Sequence, residues 1–412
     1  MNLEQTLEAA DRLAQPTAPQ LPADQAWWPQ SLAHGVLGIA MLHTELASVG
    51  LRPWQRVHDW LRVAARAPVT TGASTGLFYG APALAFALAG AAAAHPGAYQ
   101  GTLPVLDARI AADARRRVEA AHARITAGHL PVLAEFDTIR GLAGIGAYLL
   151  RRDPAGDAVR AVLGYLVDLA KPIDVEGQAL PGWWTLTGPT GRPDPSEFPG
   201  GHGNAGMAHG IGGPLALLAL AARRGVVVPG QFEAIEAIEA ICGWLDSWRT
   251  DSGAEPIWPY LIRRAEHDTG HPRPPSGAGR RPSWCYGTAG LARAQQLAAL
   301  ATSNADRRRI AEHALVQAIT DPVQRAATTD ASLCHGHAGL AHIAARAAAD
   351  AAPLVAARLQ ELAAELLGAA QPAPVEAGPG LLEGVTGVAL ASLALATGVP
   401  PATGWDICLL IA

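Results

Sequence analysis

Two of the four cysteines stand in matching short motifs, Trp284-Cys285-Tyr286-Gly287 and Leu333-Cys334-His335-Gly336. Each thiol lies two residues ahead of a glycine, and His335 directly follows the second. Two thiolates and one imidazole are three ligands, the donor set of a catalytic zinc ion whose fourth position stays open for a reactant. Linear spacing does not bring residues 285 and 334 together, and no zinc-finger pattern spans them. Only a repeat that makes the two positions equivalent does so. The alternative is a pair of buried structural thiols, which is how Cys242 in AICGWL and Cys408 in DICLLIA read.

Three further side chains suit proton transfer and anion stabilisation. His209 closes Asn204-Ala205-Gly206-Met207-Ala208-His209 just before Gly210. Asp137 lies four residues before Gly141, and Arg281 stands four before Cys285. Each alone is more often structural. Together on one rim beside a metal they would make a site.

What must position them is a repeat. A polar residue, a glycine, two residues, usually a second glycine and then an Ala/Leu-rich run recur seven times. The first glycines are Gly35, Gly80, Gly141, Gly210, Gly287, Gly336 and Gly384, at spacings of 45, 61, 69, 77, 49 and 48. About 45 residues is one helical hairpin in the known repeat families, so the longer gaps carry insertions, at about 171–204 and 249–284. The first is dense in Gly, Pro and Trp. The second holds a candidate hairpin over 256–268. Their aromatics Trp183, Trp184, Trp258 and Tyr260 argue for order and for a rim that contacts peptide.

The runs after the glycines, such as 215–222 and 291–300, are apolar all round and predict enclosed helices. Between them lie two-faced helical segments, such as 306–319 and 356–370. Seven such pairs predict an all-α protein, an α/α toroid with seven inner and seven outer helices in one domain over 1–412, plus short irregular or β insertions. The last copy at 383–397 is as apolar as the others, which favours a closed ring over a solenoid that would need polar caps. The residues just before the first glycines (His34, Tyr79, Arg140, His209, Tyr286, His335 and Glu383) can all hydrogen-bond or titrate. They sit where inner helices begin and expose unpaired N–H groups, so helix capping is the competing reading for them.

Composition excludes several function classes. There are 31 Lys+Arg against 36 Asp+Glu, a formal charge of -5, so no basic excess exists for nucleic acid. Apolar residues are 50% and charged residues 16%, against roughly 25% charged in typical domains, which argues for extensive burial rather than disorder. With aromatics at 5% and 44 Gly, the core is expected to be built from small residues. Four cysteines form no disulfide framework, and the acidic N-terminus is no secretory signal. The uncharged stretch 67–94 is mostly alanine, interrupted by Pro82 and several glycines, so no membrane span is expected. The expected location is cytoplasmic, with any peripheral membrane association made through partners.

These motifs resemble the lanthionine synthetase C-like family, the lantibiotic cyclases. The resemblance runs over essentially the whole chain: seven glycine repeats, Asn-x-Gly-x-Ala-His-Gly-Ile at 204–211, Trp-Cys-Tyr-Gly at 284–287 and Cys-His-Gly at 334–336. It implies a stand-alone cyclase of the class I type, since no dehydratase or kinase-like region is present. Cys285, Cys334 and His335 match the family's zinc ligands. His209, Asp137 and Arg281 match its proposed acid/base and supporting residues, and Trp284 and Tyr286 its site lining. Gly213 and His337 depart from the family pattern, His337 replacing an aromatic, which bears on pocket shape.

The implied reaction is Michael addition of a peptide cysteine to dehydroalanine or dehydrobutyrine, forming (methyl)lanthionine rings. The implied partners are a dehydrated precursor peptide with its leader segment, and a dehydratase and transporter in one biosynthetic complex. Two rival activities stand beside it: addition of glutathione or another thiol, and a zinc toroid transferase such as a prenyltransferase. The second would want an aromatic tunnel and a basic diphosphate site, which this composition does not supply.

Overall fold

In the computed structural model, which describes residues 2–16, 27–66, 68–226, 231–252, 255–271, 281–370 and 378–412, every glycine-led run is a helix. The chain opens with α1 (Leu3–Arg12), α2 (Val36–Ser48), α3 (Trp54–Ala64), α4 (Ala81–Ala94) and α5 (Leu103–Thr126). Next come α6 (Leu133–Phe136), α7 (Leu142–Arg152), α8 (Asp157–Leu169), β1 (Ile173–Val175), β2 (Gln178–Leu180) and β3 (His202–Asn204). There follow α9 (Gly212–Arg223), α10 (Gln231–Ser247), β4 (Thr250–Ser252), β5 (Glu255–Ile257), β6 (Leu261–Arg263) and α11 (Arg264–Thr269). The C-terminal third holds α12 (Thr288–Ala301), α13 (Ala305–Thr320), α14 (Pro322–Ala326), α15 (His337–Asp350), α16 (Pro353–Ala369) and α17 (Val385–Thr397).

The chain divides into two compact units, 1–110 with 328–408 and 412, and 111–327 with 409–411. In the first, the glycine-led helices run in the order α15, α17, α2, α4, each touching the next. Outside them α16 lies on α15 and α17, α3 on α2 and α4, and α1 on α17. The second unit repeats the scheme with three, α7, α9 and α12, backed by α8, α10 and α13. The glycine-led helices are buried almost all round, as α4 and α17 show. The backing helices bury one stripe, as α3 does with Val57, Trp60, Leu61, Val63 and Ala64. These are the enclosed and two-faced helices that the hydropathy pattern predicts. The 14-residue α4 takes up the second half of the uncharged stretch. Among the described residues no helix is long and apolar enough to cross a membrane.

The paired glycines are a matter of space. Before α2, α9, α12, α15 and α17 the chain folds back over the first turn of the helix, bringing the carbonyl of the residue six positions earlier against the second glycine. A Cβ on Gly387 would lie 1.9 Å from the Leu381 oxygen, on Gly339 2.0 Å from Leu333, and on Gly290 2.3 Å from Trp284. The first glycine meets the residue four positions earlier. A Cβ would fall 2.1 Å from the Asp137 nitrogen at Gly141 and 2.2 Å from the Ser332 nitrogen at Gly336.

The insertions differ from expectation in two respects. Trp183, Trp184 and Trp258 form no peptide-contacting rim: they are 2%, 0% and 0% exposed. Trp183 packs edge-on against Trp244, which meets Trp248, so the indoles are the insertions' own core. The candidate hairpin over 256–268 is also absent. β5 pairs with β4, whereas β6 pairs antiparallel with β3, far away in sequence. Pro259 has no N–H and interrupts the run, and the Arg263 N–H donates to the Glu266 carboxylate at 2.7 Å, starting α11 instead. The remainder of that insertion, 253–254 and 272–280, lies outside the described residues.

Candidate functional site

At the start of α7, the Asp137 carboxylate does two jobs. Its Oδ1 accepts the Arg140 and Gly141 N–H groups at 2.6 and 2.7 Å, satisfying donors that a helix start leaves unpaired. Its Oδ2 lies 2.7 Å from His209 Nδ1. The carboxylate is 1% exposed and the imidazole 23%. An acceptor-only carboxylate on Nδ1 keeps the proton there, so Nε2 is the nitrogen left for proton exchange. Two further hydrogen bonds hold the pair in register. Thr138 N–H donates to the Ala208 oxygen at 3.1 Å, and Thr138 Oγ1 to the Met207 oxygen at 2.6 Å.

The same segment is tied to Cys285. Met207 and Ala208 donate their N–H groups to the Cys285 carbonyl at 3.0 and 3.3 Å. Gly206 leaves room for the Tyr286 ring, since a Cβ there would fall 2.6 Å from Tyr286 Cε1. The Tyr286 phenol accepts from Asn204 Nδ2 at 3.1 Å, and its ring lies 6.3 Å from that of His209, centre to centre. β3 and β6 supply the next layer. Tyr260 accepts the Ala205 N–H through its carbonyl, and its phenol donates to the Arg281 carbonyl at 2.5 Å. Burial pushes the Tyr260 phenol well up, so it remains a donor. Among the described residues Arg281 Nε is buried without a hydrogen-bond partner. Trp284 is turned into the core, its Nε1 donating to the Leu409 carbonyl at 2.9 Å.

Cys285 is 8% exposed, with Ser283 Oγ 3.5 Å from its sulfur. Cys334 is half-buried, and its N–H donates to the Leu382 carbonyl at 2.8 Å. One donor atom from each of Cys285, Cys334 and His335 lies within 4.8 Å of the other two. A tetrahedral zinc with bonds of about 2.0–2.3 Å separates its ligand atoms by roughly 3.8 Å, and two thiols with one imidazole inside 4.8 Å of one another suit such an ion. Cys242 and Cys408 are fully buried, and desolvation pushes the Cys242 thiol up to about 12. They are core, as their apolar settings predict.

Of the predicted site residues, Asp137, His209, Cys285 and Tyr286 are thus linked by direct contacts, and Arg281 joins them through Tyr260. His34, Arg140 and Glu383 are exposed, and Tyr79 is half-buried with its phenol 3.3 Å from Thr70 Oγ1. The sequence reading misses Ser283 and Asp330. The signal for Ser283 is the position it occupies: Ser31, Ser283 and Ser332 all stand four before their glycines, as Asp137 does. Each serine Oγ accepts the N–H three residues on, at 3.2 Å.

Comparison with known proteins bears on the fold and the family. No sequence among the curated proteins matches the chain. Among solved structures it is similar to nisin cyclase, at a TM-score of 0.79 and 20% identity over 99% of this chain and 96% of that one. That similarity gives the fold, an α/α toroid. The sequence model of the lanthionine synthetase C-like protein family matches residues 26–410. With nearly the whole length matched and the seven glycine-led helices accounted for, the chain belongs to the lanthionine synthetase C-like family.

Proposed function

We propose that this protein is a zinc-dependent lanthipeptide cyclase, acting on a dehydrated precursor peptide. The observation that carries the reading is the convergence of the Cys285, Cys334 and His335 donor atoms, with Cys285 backbone-bonded to the segment that bears His209. Zinc bound by these three residues would supply a Lewis acid with an open position, at which a cysteine thiol is held as thiolate at neutral pH.

The chain's own residues handle the rest. The substrate sulfur adds to the β-carbon of dehydroalanine or dehydrobutyrine, and the alkene π pair moves onto the neighbouring amide as an enolate. One proton must then reach the α-carbon. No electron is gained or lost overall, and the thiol proton removed balances the proton delivered. His209 Nε2, with Nδ1 fixed by Asp137, is the donor in this scheme. Arg281 stabilises the enolate oxygen, and Tyr286, set by Asn204, lines the reacting face. A cytoplasmic location and a complex with a dehydratase and transporter fit such a role.

The test pairs metal analysis with a thiol count. Purified protein is expected to hold one zinc and to consume the free thiols of a dehydrated precursor without added glutathione. Cys334→Ala is expected to lose the metal while keeping its helicity. Full zinc retention in that variant overturns the ligand assignment, and thiol loss only when glutathione is present overturns ring closure.

A further inference from the structure

The residue six positions before each first glycine varies freely: Pro29, Ser74, Glu135, Asn204, Arg281, Asp330 and Gly378. The repeat therefore demands no particular side chain there, and what stands at each copy answers to its neighbours. At Asn204 the neighbour is the Tyr286 phenol. At Asp330 it is His335: Asp330 Oδ2 lies 3.3 Å from His335 Nε2, with the two side chains 34% and 22% exposed.

The rest of Asp330 is pinned by its own loop. Oδ1 accepts the Ser332 N–H at 2.8 Å. The main-chain oxygen accepts the His337 N–H at 3.0 Å and lies 2.8 Å from His337 Nδ1. Gly336 permits this fold-back, since a Cβ there would fall 2.3 Å from Asp330 Oδ1. The backbone of His335 is steadied as well, its N–H donating to Ser332 Oγ at 3.2 Å. One carboxylate oxygen is enough to brace the loop, and the second is directed at the imidazole.

We infer that Asp330 is a positioning residue for the metal centre. Its carboxylate takes the Nε2–H of His335 and so makes Nδ1 the nitrogen that ligates. A neutral imidazole has one N–H and one lone pair, and an acceptor-only group on one nitrogen assigns the lone pair to the other. Outer-shell carboxylates of this kind fix ring orientation and raise ligand basicity, and their loss lowers metal affinity by about 10–100-fold. His337 serves the same device by anchoring the Asp330 carbonyl. The inference rests on the zinc reading of Cys285, Cys334 and His335.

The test uses the full-length chain and its D330A and D330N variants. Zinc dissociation constants are read by competition with a chromophoric chelator, and cobalt(II) absorption reports the ligand set. Both variants are expected to bind zinc about 10–100-fold more weakly, with the thiolate-to-cobalt bands kept and the d–d bands shifted. In D330N the amide oxygen retains the Ser332 N–H, so the metal-free unfolding midpoint is expected to match the parent. Affinities within about threefold of the parent in both variants overturn the inference, the expected loss being tenfold or more. A D330N loss matched by an equal loss of metal-free stability also overturns it, since that is a brace and nothing more. A parent chain that takes up no zinc overturns the metal reading itself, and the parent titration alone decides that.

Discussion

Replacing Asp137 by asparagine separates its two jobs. The amide oxygen that D137N introduces can still accept the Arg140 and Gly141 N–H groups, so α7 keeps its cap. The amide nitrogen then faces His209 Nδ1, where the carboxylate oxygen stands 2.7 Å away in the parent. A donor at that place favours the tautomer with its proton on Nε2 and resists the doubly protonated ring. The substitution removes a hydrogen bond to a charged group, worth about 1.5–3 kcal/mol. At about 1.4 kcal/mol per tenfold, that is roughly 10- to 150-fold in rate. The wrong tautomer adds to this, within the 10²–10⁴-fold that a positioned acid or base typically supplies. Ring closure by D137N is therefore expected to slow about 10²–10³-fold, with zinc content and thermal midpoint near those of the parent. D137A should lose the cap as well, costing about 0.5–2 kcal/mol and more if both N–H groups stay unpaired. The assay is single-turnover thiol consumption with a dehydrated peptide, with metal analysis and a melt beside it. D137N closing rings at the parent rate with its zinc in place would refute the idea that Asp137 sets the state of His209.

Two further expectations concern the fold. Burial lowers His43 and His202 to about 4 from an ordinary 6.5, so the unfolded chain binds more protons than the folded one between those values. Stability is thus complete above about pH 6.5 and falls as pH drops toward 4, by on the order of 3 kcal/mol per histidine; urea midpoints across that range should show it, and a flat profile would contradict the burial of the two rings. Gly387→Ala would set a methyl 1.9 Å from the Leu381 carbonyl, and overpacking of that kind costs about 3 kcal/mol, whereas Gly398→Ala, with open space around it at φ 64°, should cost only about 1–2 kcal/mol of backbone strain. Equal midpoints for the two variants would remove close approach as the reason for the repeat glycines.

The repeat and its helices are legible in the chain because most of the glycines mark a close backbone crossing, where a Cβ would meet main-chain atoms. The enclosed and two-faced helices separate by hydropathy alone, and the positions of Cys285, Cys334 and His209 follow from where the glycines fall. Local pattern gives no guide to pairings across long stretches. β6 pairs with β3 from the other insertion, and nothing within 256–268 announces a partner near residue 203. Aromatic richness is equally blind to direction. Trp183, Trp184 and Trp258 suit an exposed rim by count, but each insertion must bury something of its own, and the indoles are the largest apolar groups it has.

The positions that matter most to the site are ones where the repeat asks for little. Four residues before the glycine, the helix start needs only an oxygen to accept N–H groups, and a serine hydroxyl meets that need at Ser31, Ser283 and Ser332. Aspartate meets it too and has a second oxygen to spare, which at Asp137 turns to His209. Six residues before the glycine the repeat asks for nothing at all, and Asn204 and Asp330 are there to aim at Tyr286 and His335. A chemically competent rim can thus arise on this scaffold by changing side chains whose structural duty is already met or absent. Gly141, Gly336 and Gly339 behind them have no such freedom, because there a single methyl meets main-chain atoms.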